Sequence, residues 1–583
     1  MIESDYPAVE LPNEPYHEIV LKAIKRHIDH GKNKIAYING ERPNEVVTFR
    51  QVYDNAYSIS AFLHSKGFGK DVACVVIPNL WQYSAFFLGV ALRGGAVSGA
   101  SALFTDYELQ RQFVDSGAKV VLTSEQYLDK VLKAVKESPC VKMVIYIPDS
   151  HDHPIPNGVV NWNDVVKTRY TASIPKANID LDKDIIMLPY SSGTTGSPKG
   201  VMLSHRNFAT MINIYLRHEE RSILPVLDEN WDYEKEKMVL FLPFYHVYGF
   251  GLLNITLLVG CTGIIFKHFE PHGFCRAIQD HKLRFLPLVP PIMVFLAKHP
   301  ICDQYDLSSV KFIICGAAPA GKDICEELVR KYPNITHIQQ GWYSLNLRFY
   351  DLRRIQRYVY VRRCPVKVFY HFMKPHVVVG YGMTECTMAS HLPDLKNGVP
   401  FGSVGKVASN LHMRIVDPST GKEMPTGMTG EICIRGPTVM LGYLGKPDAT
   451  KSTIINGWLH TGDIGYVDAD RNLFIVDRLK ELIKVKGLQV APAELEDLLL
   501  AHPLIRDAAV IGVPNKKTGE LPKAFVVRAN NTLTEEEVKD WVKDKVSPYK
   551  QLAGGVEFIN EIPKSAAGKI LRRELRDRAV SKL

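Results

Sequence analysis

The stretch "SSGTTGSPKG" at residues 191–200 contains three glycines, five hydroxyl side chains and one lysine. Backbone N–H groups of such a loop can form a nest for phosphate oxygens, and the hydroxyls and the lysine add donors and positive charge. The familiar nucleotide loop, G-x-x-x-x-G-K-[ST], ends in a hydroxyl that binds magnesium. Here Gly200 follows Lys199, so that ligand is missing. The stretch therefore predicts a loop that binds phosphate groups but does not itself bind the magnesium ion that accompanies them.

The residues on either side place this loop between two strands. The segment "IIMLPY" at residues 185–190 is typical of a short buried strand, and a second apolar run follows within "KGVMLSHRN". Ser204 comes after that run, where its hydroxyl is suited to capping a helix. A Walker-type loop must instead open a helix. A serine- and glycine-rich linker is the alternative. The density of glycine, hydroxyl and lysine residues favours instead a flexible phosphate-binding loop, suited to a pyrophosphate that is released.

Size and composition indicate a globular protein with several subdomains. The chain has 583 residues, with 46% hydrophobic and 23% charged residues, which is too long for one core. Its first residues carry acids at Glu3, Asp5 and Glu10 and no apolar core of a secretory signal. Residues 238–266 contain no acidic or basic side chain, but Pro243, His246 and four glycines interrupt them. We therefore expect buried strands and turns there and no stable membrane insertion.

The cysteines and the final three residues indicate the cellular compartment of the protein. The ten cysteines include no C-x-x-C pair, which argues against a zinc site and favours reduced thiols. The chain ends in Ser581, Lys582 and Leu583, the tripeptide that a peroxisomal import receptor recognises. A frayed basic tail is the alternative interpretation. We expect a peroxisomal protein.

One segment differs from the rest of the chain. Residues 341–379 hold eight lysines and arginines against one acid, Asp351, and therefore account for most of the net charge of +9. Nine aromatic residues alternate with these cations, a composition compatible with single-stranded nucleic acid or an anionic membrane. The segment shows no sustained helical or strand period and predicts no fold. Because the basic charge is confined to it, we expect no nucleic-acid partner for the remainder of the chain.

The loop and four later motifs together resemble the adenylate-forming superfamily, which includes acyl-CoA synthetases, 4-coumarate–CoA ligases, beetle luciferases and peptide-synthetase adenylation domains. The resemblance runs from about Thr48 to Leu571, except for residues 341–379. The matching pieces are "YSSGTTGSPKGV", "GYGMTE" (380–385), "GWLHTGDIGYVD" (457–468), "DRLKELIKVKG" (477–487) and "PKSAAGKILRREL" (563–575). One such motif alone is a weak signal, whereas five in this order are specific.

The resemblance implies a two-step reaction. Family enzymes join a carboxylate to AMP with release of pyrophosphate, and coenzyme A then displaces AMP. The glycine-rich loop need only hold the departing phosphates, for which the implied residues are Ser191, Ser192, Gly193, Thr194, Thr195, Gly196 and Lys199. Magnesium is bound elsewhere, by the carboxylate that matches Glu385, a hard oxygen donor. The hydroxyl that matches Thr384 contacts phosphate.

Adenosine recognition follows from the same resemblance. The segment "CGAAPAG" (315–321) resembles the stretch whose small residues, here Gly316, Ala317 and Ala318, let the backbone approach adenine. Tyr381, between Gly380 and Gly382, is expected to stack on the base. Asp463 is expected to accept hydrogen bonds from the ribose hydroxyls, with Arg478 nearby, because a carboxylate suits a diol.

Two groups of lysines are implied for the two steps. Lys569 matches the adenylation lysine, which bridges the substrate carboxylate and the α-phosphate. Lys484, Lys486 and Gly487 lie on the face implied for thioester formation. A hinge near residues 479–480 would present each group in turn. Taken alone, a basic helix start at Lys569 and a solvated lysine face at Lys484 are the alternatives.

His246, in "FLPFYHVYGFG", matches a histidine that gates the acyl pocket and contacts the carboxylate. A core histidine is the alternative. Val247, Tyr248 and Gly249 are expected to help wall the pocket, and an apolar wall implies a fatty or aromatic acid. Chain length and ring preference are not readable from the sequence.

The anomalous segment interrupts the family pattern at a sensitive point. In the family, the strand that matches "HIQQ" runs straight into "GYGMTE", but here 39 residues separate Gln340 from Gly380. They form either a true insertion that loops out with its ends close together, or translated non-coding sequence, which we favour.

The sequence thus predicts an α/β enzyme of two parts. A large body of several subdomains, with a β-rich portion, spans residues 1–477, and a small mobile α+β lid spans residues 478–583. The predicted activity is that of an acid–thiol ligase using ATP, Mg²⁺ and coenzyme A on a small carboxylic acid, with fatty acid metabolism as its setting. Alternatives are a luciferase-type monooxygenase, which shares the adenylation motifs, and a non-catalytic binding protein; a peptide-synthetase module is disfavoured. Oligomeric state is not predicted.

Overall fold

The described residues of the computed structural model cover most of the chain. They are 1–31, 33–149, 157–191, 198–228, 230–316, 322–341, 376–400, 402–478, 481–485, 488–515, 519–530, 532–543, 545–546, 548–564 and 570–580.

The α-helices in this part of the chain are Tyr16–His30 (α1), Phe49–Ser65 (α2), Gln82–Ala91 (α3), Asp106–Ser116 (α4), Leu128–Lys136 (α5), Trp162–Val166 (α6), His205–His218 (α7), Leu224–Leu227 (α8), Val247–Val259 (α9), Pro271–His281 (α10), Pro290–Lys298 (α11), Lys322–Lys331 (α12), Pro447–Thr453 (α13), Pro492–Leu500 (α14), Glu535–Lys543 (α15) and Arg572–Val580 (α16).

The strands are Ile2–Glu3 (β1), Ile35–Asn39 (β2), Val46–Thr48 (β3), Val72–Val76 (β4), Ala96–Gly99 (β5), Val120–Ser124 (β6), Met143–Ile147 (β7), Val160–Asn161 (β8), Ile185–Met187 (β9), Tyr190–Ser191 (β10), Lys199–Ser204 (β11), Lys237–Leu240 (β12), Thr262–Ile265 (β13), Phe285–Leu288 (β14), Phe312–Cys315 (β15), His337–Gly341 (β16), His376–Gly380 (β17), His391–Leu392 (β18), Lys406–Val407 (β19), His412–Val416 (β20), Gly430–Arg435 (β21), Gly442–Tyr443 (β22), Ile454–Ile455 (β23), Trp458–Val467 (β24), Leu473–Arg478 (β25), Ile483–Val485 (β26), Leu488–Val490 (β27), Ile505–Asn515 (β28), Gly519–Arg528 (β29) and Val556–Phe558 (β30).

The body consists of α/β layers and a β-rich portion. One sheet runs β10-β11-β9-β5-β4-β6-β7-β8, with β22 paired to β11, and two smaller sheets run β12-β13-β2-β3 and β14-β15-β16-β17. The inner strands of the first sheet, β5-β4-β6-β7, are parallel and apolar, as expected for strands covered by helices on both faces. The β-rich portion is the antiparallel sheet β1-β20-β21-β24-β23, with β25 on β24.

The lid is built on a separate sheet. Its strands run β27-β26-β29-β28, with β30 parallel to β29, and its core is a cluster of buried aliphatic residues on β28, β29, α14 and α15. The fold class predicted from the sequence is confirmed: an α/β body with a β-rich portion and a smaller α+β domain. The predicted hinge at residues 479–480 lies outside the described residues, between β25 of the body and β26 of the lid.

Local sequence signals explain several helix starts. Ser204 caps α7 and forms a capping box with Asn207, which confirms the predicted cap. Thr48 and Thr105 form the same arrangement at α2 and α4, with Gln51 and Glu108 as the reciprocal residues. These caps satisfy N–H groups that the first helical turn leaves without partners.

The uncharged segment 238–266 is buried, as predicted, but its middle is a helix. The strands β12 and β13 flank α9, whose side chains are buried around most of its circumference. A helix that is apolar all round has no amphipathic period, so the pattern did not distinguish it from strands and turns. No helix in the described part of the chain has the length and apolarity needed to cross a membrane.

The two ends of the anomalous segment lie side by side. β16 and β17 pair in parallel, with Gly341 opposite Gly380 in register. Residues 342–375 lie outside the described residues, so the basic and aromatic side chains singled out above are among those not described. β17 occupies the edge of its sheet, beyond β16.

Candidate active site

The glycine-rich loop connects two paired strands, as predicted. Ser191 in β10 pairs with Lys199 in β11, so the loop closes a hairpin and opens no helix. The Ser191 hydroxyl is buried and finds no hydrogen-bond partner among the described residues, which is unusual for a buried polar atom and fits a ligand contact. Residues 192–197 lie outside the described residues, and with them the predicted Ser192, Gly193, Thr194, Thr195 and Gly196.

Tyr443 connects the loop lysine to the candidate metal ligand. β22 pairs with β11 and places Tyr443 opposite Val201, and the Lys199 ammonium lies 4.9 Å from the centre of the Tyr443 ring. The Tyr443 hydroxyl donates a hydrogen bond of 3.0 Å to Oε1 of Glu385. Burial, followed by the charge of Glu385, raises the pKa of Tyr443, so this phenol remains a neutral donor.

Glu385 is suited to hold a cation. It lies in a short 3₁₀ turn, Thr384–Cys386, and is only 6% exposed. Within the described residues, no lysine or arginine forms an ion pair with Glu385, and the Tyr443 hydroxyl leaves its negative charge uncompensated. A buried carboxylate of this kind is a hard oxygen donor that fits Mg²⁺.

The predicted adenosine residues Tyr381 and Asp463 lie in contact. Both are buried, at 2% and 0% exposure, and the Tyr381 hydroxyl donates a hydrogen bond of 2.7 Å to Oδ2 of Asp463. Burial and then Asp463 raise the pKa of Tyr381, which keeps its hydroxyl protonated. Asp463 lies in β24, opposite the backbone of Arg478 in β25. Base stacking by Tyr381 and ribose binding by Asp463 stay predictions.

Two glycines of the predicted set are required by close approaches. A Cβ at Gly382 would lie 1.9 Å from the Met388 carbonyl oxygen, and one at Gly316 would lie 2.4 Å from the Tyr248 ring. Gly316 thus makes room for an aromatic side chain of the predicted acyl pocket. Gly380 ends β17 directly before Tyr381, and Ala317 and Ala318 lie outside the described residues.

His246 begins the helix of the predicted acyl pocket. It is the N-cap of α9, and its Nδ1 accepts a hydrogen bond of 3.3 Å from the Tyr248 backbone N–H. The Tyr248 hydroxyl donates to the Ile314 carbonyl oxygen at 3.3 Å. Tyr248 therefore lies against the end of β15, while the role of His246 toward a carboxylate stays a prediction.

The lid holds both ends of the segment that carries Lys569. Lys564 and Ile570 form an antiparallel bridge, and the Leu571 N–H donates to the Pro563 carbonyl oxygen at 2.8 Å. Arg572, at the start of α16, forms an ion pair of 2.7 Å with the buried Glu496. Lys569 itself, together with Lys486 and Gly487, lies outside the described residues, and the Lys484 side chain in β26 is not described.

Sequence reasoning missed two groups of residues at this site. Tyr443 was not singled out because nothing in "GYLG" marks it, and its contacts come from β11 and from residue 385. Glu431, Cys433 and His460 form a cluster whose potential ligand atoms lie within 4.8 Å of one another; Glu431 and Cys433 are buried and His460 is partly buried. Only the alternation in "GEICIR" could have indicated that Glu431 and Cys433 share a face of one strand.

Comparison with known proteins covers both parts of the chain. The family model described as "AMP-binding enzyme" matches residues 24–343 and 362–444. The model described as "AMP-binding enzyme C-terminal domain" matches residues 494–569. The first match leaves out residues 344–361, which lie inside the anomalous segment. Residues 344–361 are therefore an interruption relative to the family, whereas the model matches the remainder of the anomalous segment, residues 341–343 and 362–379.

Curated relatives extend over the full length. The chain is 38% identical to 4-coumarate–CoA ligase 2 of Nicotiana tabacum over 587 residues, covering 99% of this chain and 96% of that one. It is 35% identical to 4-coumarate–CoA ligase 1 of Arabidopsis thaliana, covering 99% and 95%.

Solved structures show the same fold at lower identity. The anthranilate CoA ligase AuaEII in complex with anthranoyl-AMP matches with a TM-score of 0.79 at 23% identity, covering 100% of both chains. ATP-bound MatB from Rhodopseudomonas palustris matches with a TM-score of 0.77 at 24% identity, covering 96% of this chain and 98% of that one.

Proposed function

This chain belongs to the AMP-binding enzyme family and is an ATP-dependent carboxylate–CoA ligase; we propose that its substrate is an aromatic carboxylic acid, activated between the body and the lid. A carboxylate oxygen attacks the α-phosphorus of ATP, and the bond to the bridging oxygen breaks as pyrophosphate leaves. The sulfur of coenzyme A then attacks the acyl carbon, and AMP leaves with the electron pair of the acyl–oxygen bond. Activation is needed because a bare carboxylate has no adequate leaving group.

The array of Lys199, Tyr443 and Glu385 is the observation that carries this proposal. Tyr443 has Lys199, at the base of the phosphate loop, against its ring and the buried, uncompensated carboxylate of Glu385 at its hydroxyl. The loop contributes backbone and hydroxyl donors to the departing phosphates, and the Ser191 hydroxyl has no hydrogen-bond partner within the part of the chain that the structure describes. Donors fixed in this way stabilise negative charge without reorganising during the reaction.

Glu385 is the residue that would hold Mg²⁺, with Tyr443 orienting its carboxylate. When bound, the ion supplies positive charge that draws electron density from the phosphate oxygens. The protein part of this assignment is the burial of Glu385, which keeps the carboxylate in one place, and the neutrality of its tyrosine partner. Thr384 precedes Glu385 in the same turn and contributes a hydroxyl toward phosphate.

The nucleoside and the reacting centre are held from different directions. Asp463 accepts hydrogen bonds from the ribose hydroxyls, and Tyr381 lies beside it for the base. Lys569, on the lid, stabilises the charge that gathers between the substrate carboxylate and the α-phosphate. Lys484, Lys486 and Gly487 serve thioester formation after the lid turns about residues 479–480.

Similarity to 4-coumarate–CoA ligases supports an aromatic acid as the first candidate substrate. His246 and Tyr248 supply the carboxylate contact and an aromatic wall at the start of α9. A fatty acid is the second candidate, favoured by the terminal residues Ser581, Lys582 and Leu583. We also propose import into peroxisomes through these residues, tested by the distribution of a fluorescent fusion before and after replacement of Lys582 by Glu.

Exchange of labelled pyrophosphate into ATP tests the activation step directly. Purified protein and Mg²⁺ should support exchange in the presence of 4-coumarate or a related aryl acid, and subsequent addition of coenzyme A should yield the thioester. A panel of fatty acids from short to long chains tests the second candidate. Absence of exchange with every acid in both panels contradicts the proposed function.

Replacement of Lys569 by Ala separates the two half-reactions. Adenylation should slow by about 100- to 1,000-fold, because fixed cationic stabilisation in a dry site is worth roughly 3–4 kcal/mol. Reaction of preformed acyl-adenylate with coenzyme A should stay within about threefold of the parent rate. Arg573→Ala is the matched control, since that cation is 83% exposed on the same segment. Equal loss of both half-reactions rejects the role given to Lys569.

A further inference from the structure

The nucleoside residue Asp463 lies in a bulge of β24. In the register with β21, Glu431 pairs with Ile464 and Cys433 pairs with His460, so one residue of β21 faces the three residues 461–463. Gly462 has a positive φ of 71°, which glycine adopts without strain. Bulges interrupt the ladder and re-aim side chains, and they are frequent beside active sites.

Side chains replace the ladder hydrogen bonds that the bulge loses. The Gly462 N–H donates to Oε1 of Glu431 at 3.1 Å, and the Asp463 N–H donates to the Thr461 hydroxyl oxygen at 3.1 Å. That hydroxyl in turn donates to the Ile432 carbonyl oxygen at 2.8 Å. The second oxygen of Glu431 lies 2.8 Å from Nδ1 of His460.

Glu431 is buried and is hydrogen-bonded to Gly462, the residue directly before Asp463. Glu431 is 8% exposed and Asp463 is fully buried, so the hydrogen bond from the Gly462 N–H to Glu431 is not exchanged freely for water. Removing an acceptor from such a network leaves buried N–H groups unsatisfied, which costs more than the bond itself is worth. The backbone on both sides of Gly462 therefore depends on Glu431 for its position.

We propose that Glu431 is a positioning residue that fixes the bulge of β24 so that Asp463 presents its carboxylate to the ribose of ATP. His460 orients Glu431 from one side and Gly462 transmits that orientation to Asp463. This inference rests on the proposed function, because it takes the ribose contact of Asp463 as given. Glu431 itself does not touch the nucleotide in this account.

The same cluster does not favour a zinc ion. Zinc binds thiolate, whereas burial and the neighbouring Glu431 raise the pKa of the Cys433 thiol to about 12. The thiol lies 3.5 Å from Nδ1 of His460, the same atom that contacts Glu431. A hydrogen-bonded network accounts for all three residues. Stoichiometric zinc in the purified protein, lost in Cys433→Ser, would overturn the positioning role.

The test compares ATP with 2′,3′-dideoxy-ATP in pyrophosphate exchange. In the parent protein, the ratio of kcat/KM for the two nucleotides measures the ribose contact. Glu431→Ala removes both carboxylate oxygens and should raise KM for ATP about tenfold or more with kcat changed by less than about threefold, since a hydrogen bond to a charged group has this magnitude. The variant should change kcat/KM for dideoxy-ATP only slightly, so the ratio of kcat/KM for ATP to that for dideoxy-ATP should fall by about tenfold.

A second variant guards against a folding defect. Thr461→Val removes the hydroxyl that binds the Asp463 N–H while leaving Glu431 intact, and it should lower the same ratio. Glu423→Ala is the matched control, because that carboxylate is about half exposed and pairs with the amino terminus; it should leave the ratio unchanged.

The outcomes distinguish a failure of the ribose contact of Asp463 from a failure of the role of Glu431 alone. If the parent protein does not discriminate between the nucleotides, the ribose contact of Asp463 fails, and the inference fails with it. If the parent discriminates and Glu431→Ala lowers kcat/KM equally for both nucleotides, Glu431 is merely structural, and the proposed function stands without it.

Discussion

Buried acids of the body and of the lid have different partners. In the described part of the body, three of the four buried acids, Glu385, Glu219 and Asp463, each accept a hydrogen bond from a tyrosine hydroxyl, at 3.0, 2.9 and 2.7 Å, whereas the fourth, Glu431, contacts His460. In the lid, the buried Glu496 pairs with Arg572 at 2.7 Å, and Glu557, whose side chain is 12% exposed, pairs with Lys523 at 3.0 Å.

The difference determines what each part can bind. A tyrosine hydroxyl orients a carboxylate without cancelling its charge, so the acids of the body remain able to attract a cation or to accept from a diol. An arginine or lysine partner neutralises the acid, so further lysines of the lid can contribute net positive charge. The body is thus suited to Mg²⁺ and ribose, and the lid to the anionic reacting centre.

Arg572→Ala breaks the lid side of this comparison and has the largest expected effect. It leaves Glu496 buried and unpaired, and removal of one partner of a buried pair costs about 3–5 kcal/mol. Because burial already raises the pKa of Glu496, protonation of this acid should reduce the defect as pH falls. Urea denaturation and limited proteolysis of the lid measure the loss.

Adenylation should also slow in Arg572→Ala, by about tenfold or more, because the segment that carries Lys569 loses an anchor. Arg573→Ala, at the neighbouring exposed position, is the control. An unchanged unfolding curve in Arg572→Ala would show that the ion pair contributes nothing to the lid.

Glu219→Gln tests the body side through pH. Burial raises the pKa of Glu219 to about 7, against hydrogen bonds from Tyr215 and Tyr233 that lower it. An acid whose folded pKa lies above its unfolded value stabilises the protein fully below the unfolded pKa, and this contribution is lost as pH rises through the folded pKa.

The parent protein should therefore lose about 3 kcal/mol of stability between about pH 4.5 and pH 7.5, on the scale of 1.4 kcal/mol per pKa unit. Glu219→Gln should remove most of this dependence and be the more stable protein at pH 8. Thermal unfolding at pH 5 and pH 8 measures the difference. Glu220→Gln, whose side chain is 53% exposed, is the control; equal pH slopes for parent and Glu219→Gln would contradict the assignment.

Deletion of residues 342–380 sharpens the comparison at Tyr381. The deletion joins Gly341 directly to Tyr381. The chain would then enter the site from β16 and no longer from β17, the strand that pairs with β16 in parallel register. Neighbouring strands are about 4.8 Å apart, and a misplacement of about 1 Å can cost about 100-fold in rate.

The deletion variant should therefore exchange pyrophosphate at least about 100-fold faster than the full chain. Sequencing of the transcript complements this measurement, since absence of these codons would identify the segment as non-coding. Equal rates for the two proteins would mean that the segment is a true insertion that the site accommodates.

Tyr443→Phe has the smallest expected effect. It removes the hydroxyl that orients Glu385 and keeps the ring beneath Lys199. The Mg²⁺ concentration at half-maximal exchange should rise about fivefold, which corresponds to one hydrogen bond of about 1 kcal/mol. Tyr466→Phe, on the stacked pair with Phe474, is the control. An unchanged Mg²⁺ dependence would separate Tyr443 from the metal site.

Local features of the fold were predictable where neighbouring residues determine them. The hairpin around the glycine-rich loop and the Ser204 cap followed from a few adjacent residues. The helix α9 did not, because a segment buried on all sides carries no period that separates helix from strand. The resemblance to the family extended the prediction to the site residues, but it singled out neither Tyr443 nor Glu431.

The sequence by itself determined the reaction class, because five motifs in the family's order specify the chemistry. It also located the interruption of the family pattern. Only the tertiary structure decided how the acids are paired. Tyr443 and Glu385 are 58 positions apart, and Tyr381 and Asp463 are 82 apart. Partners so far apart in sequence meet only after packing, and burial then decides whether a carboxylate keeps its charge for a ligand or shares it with a neighbouring cation.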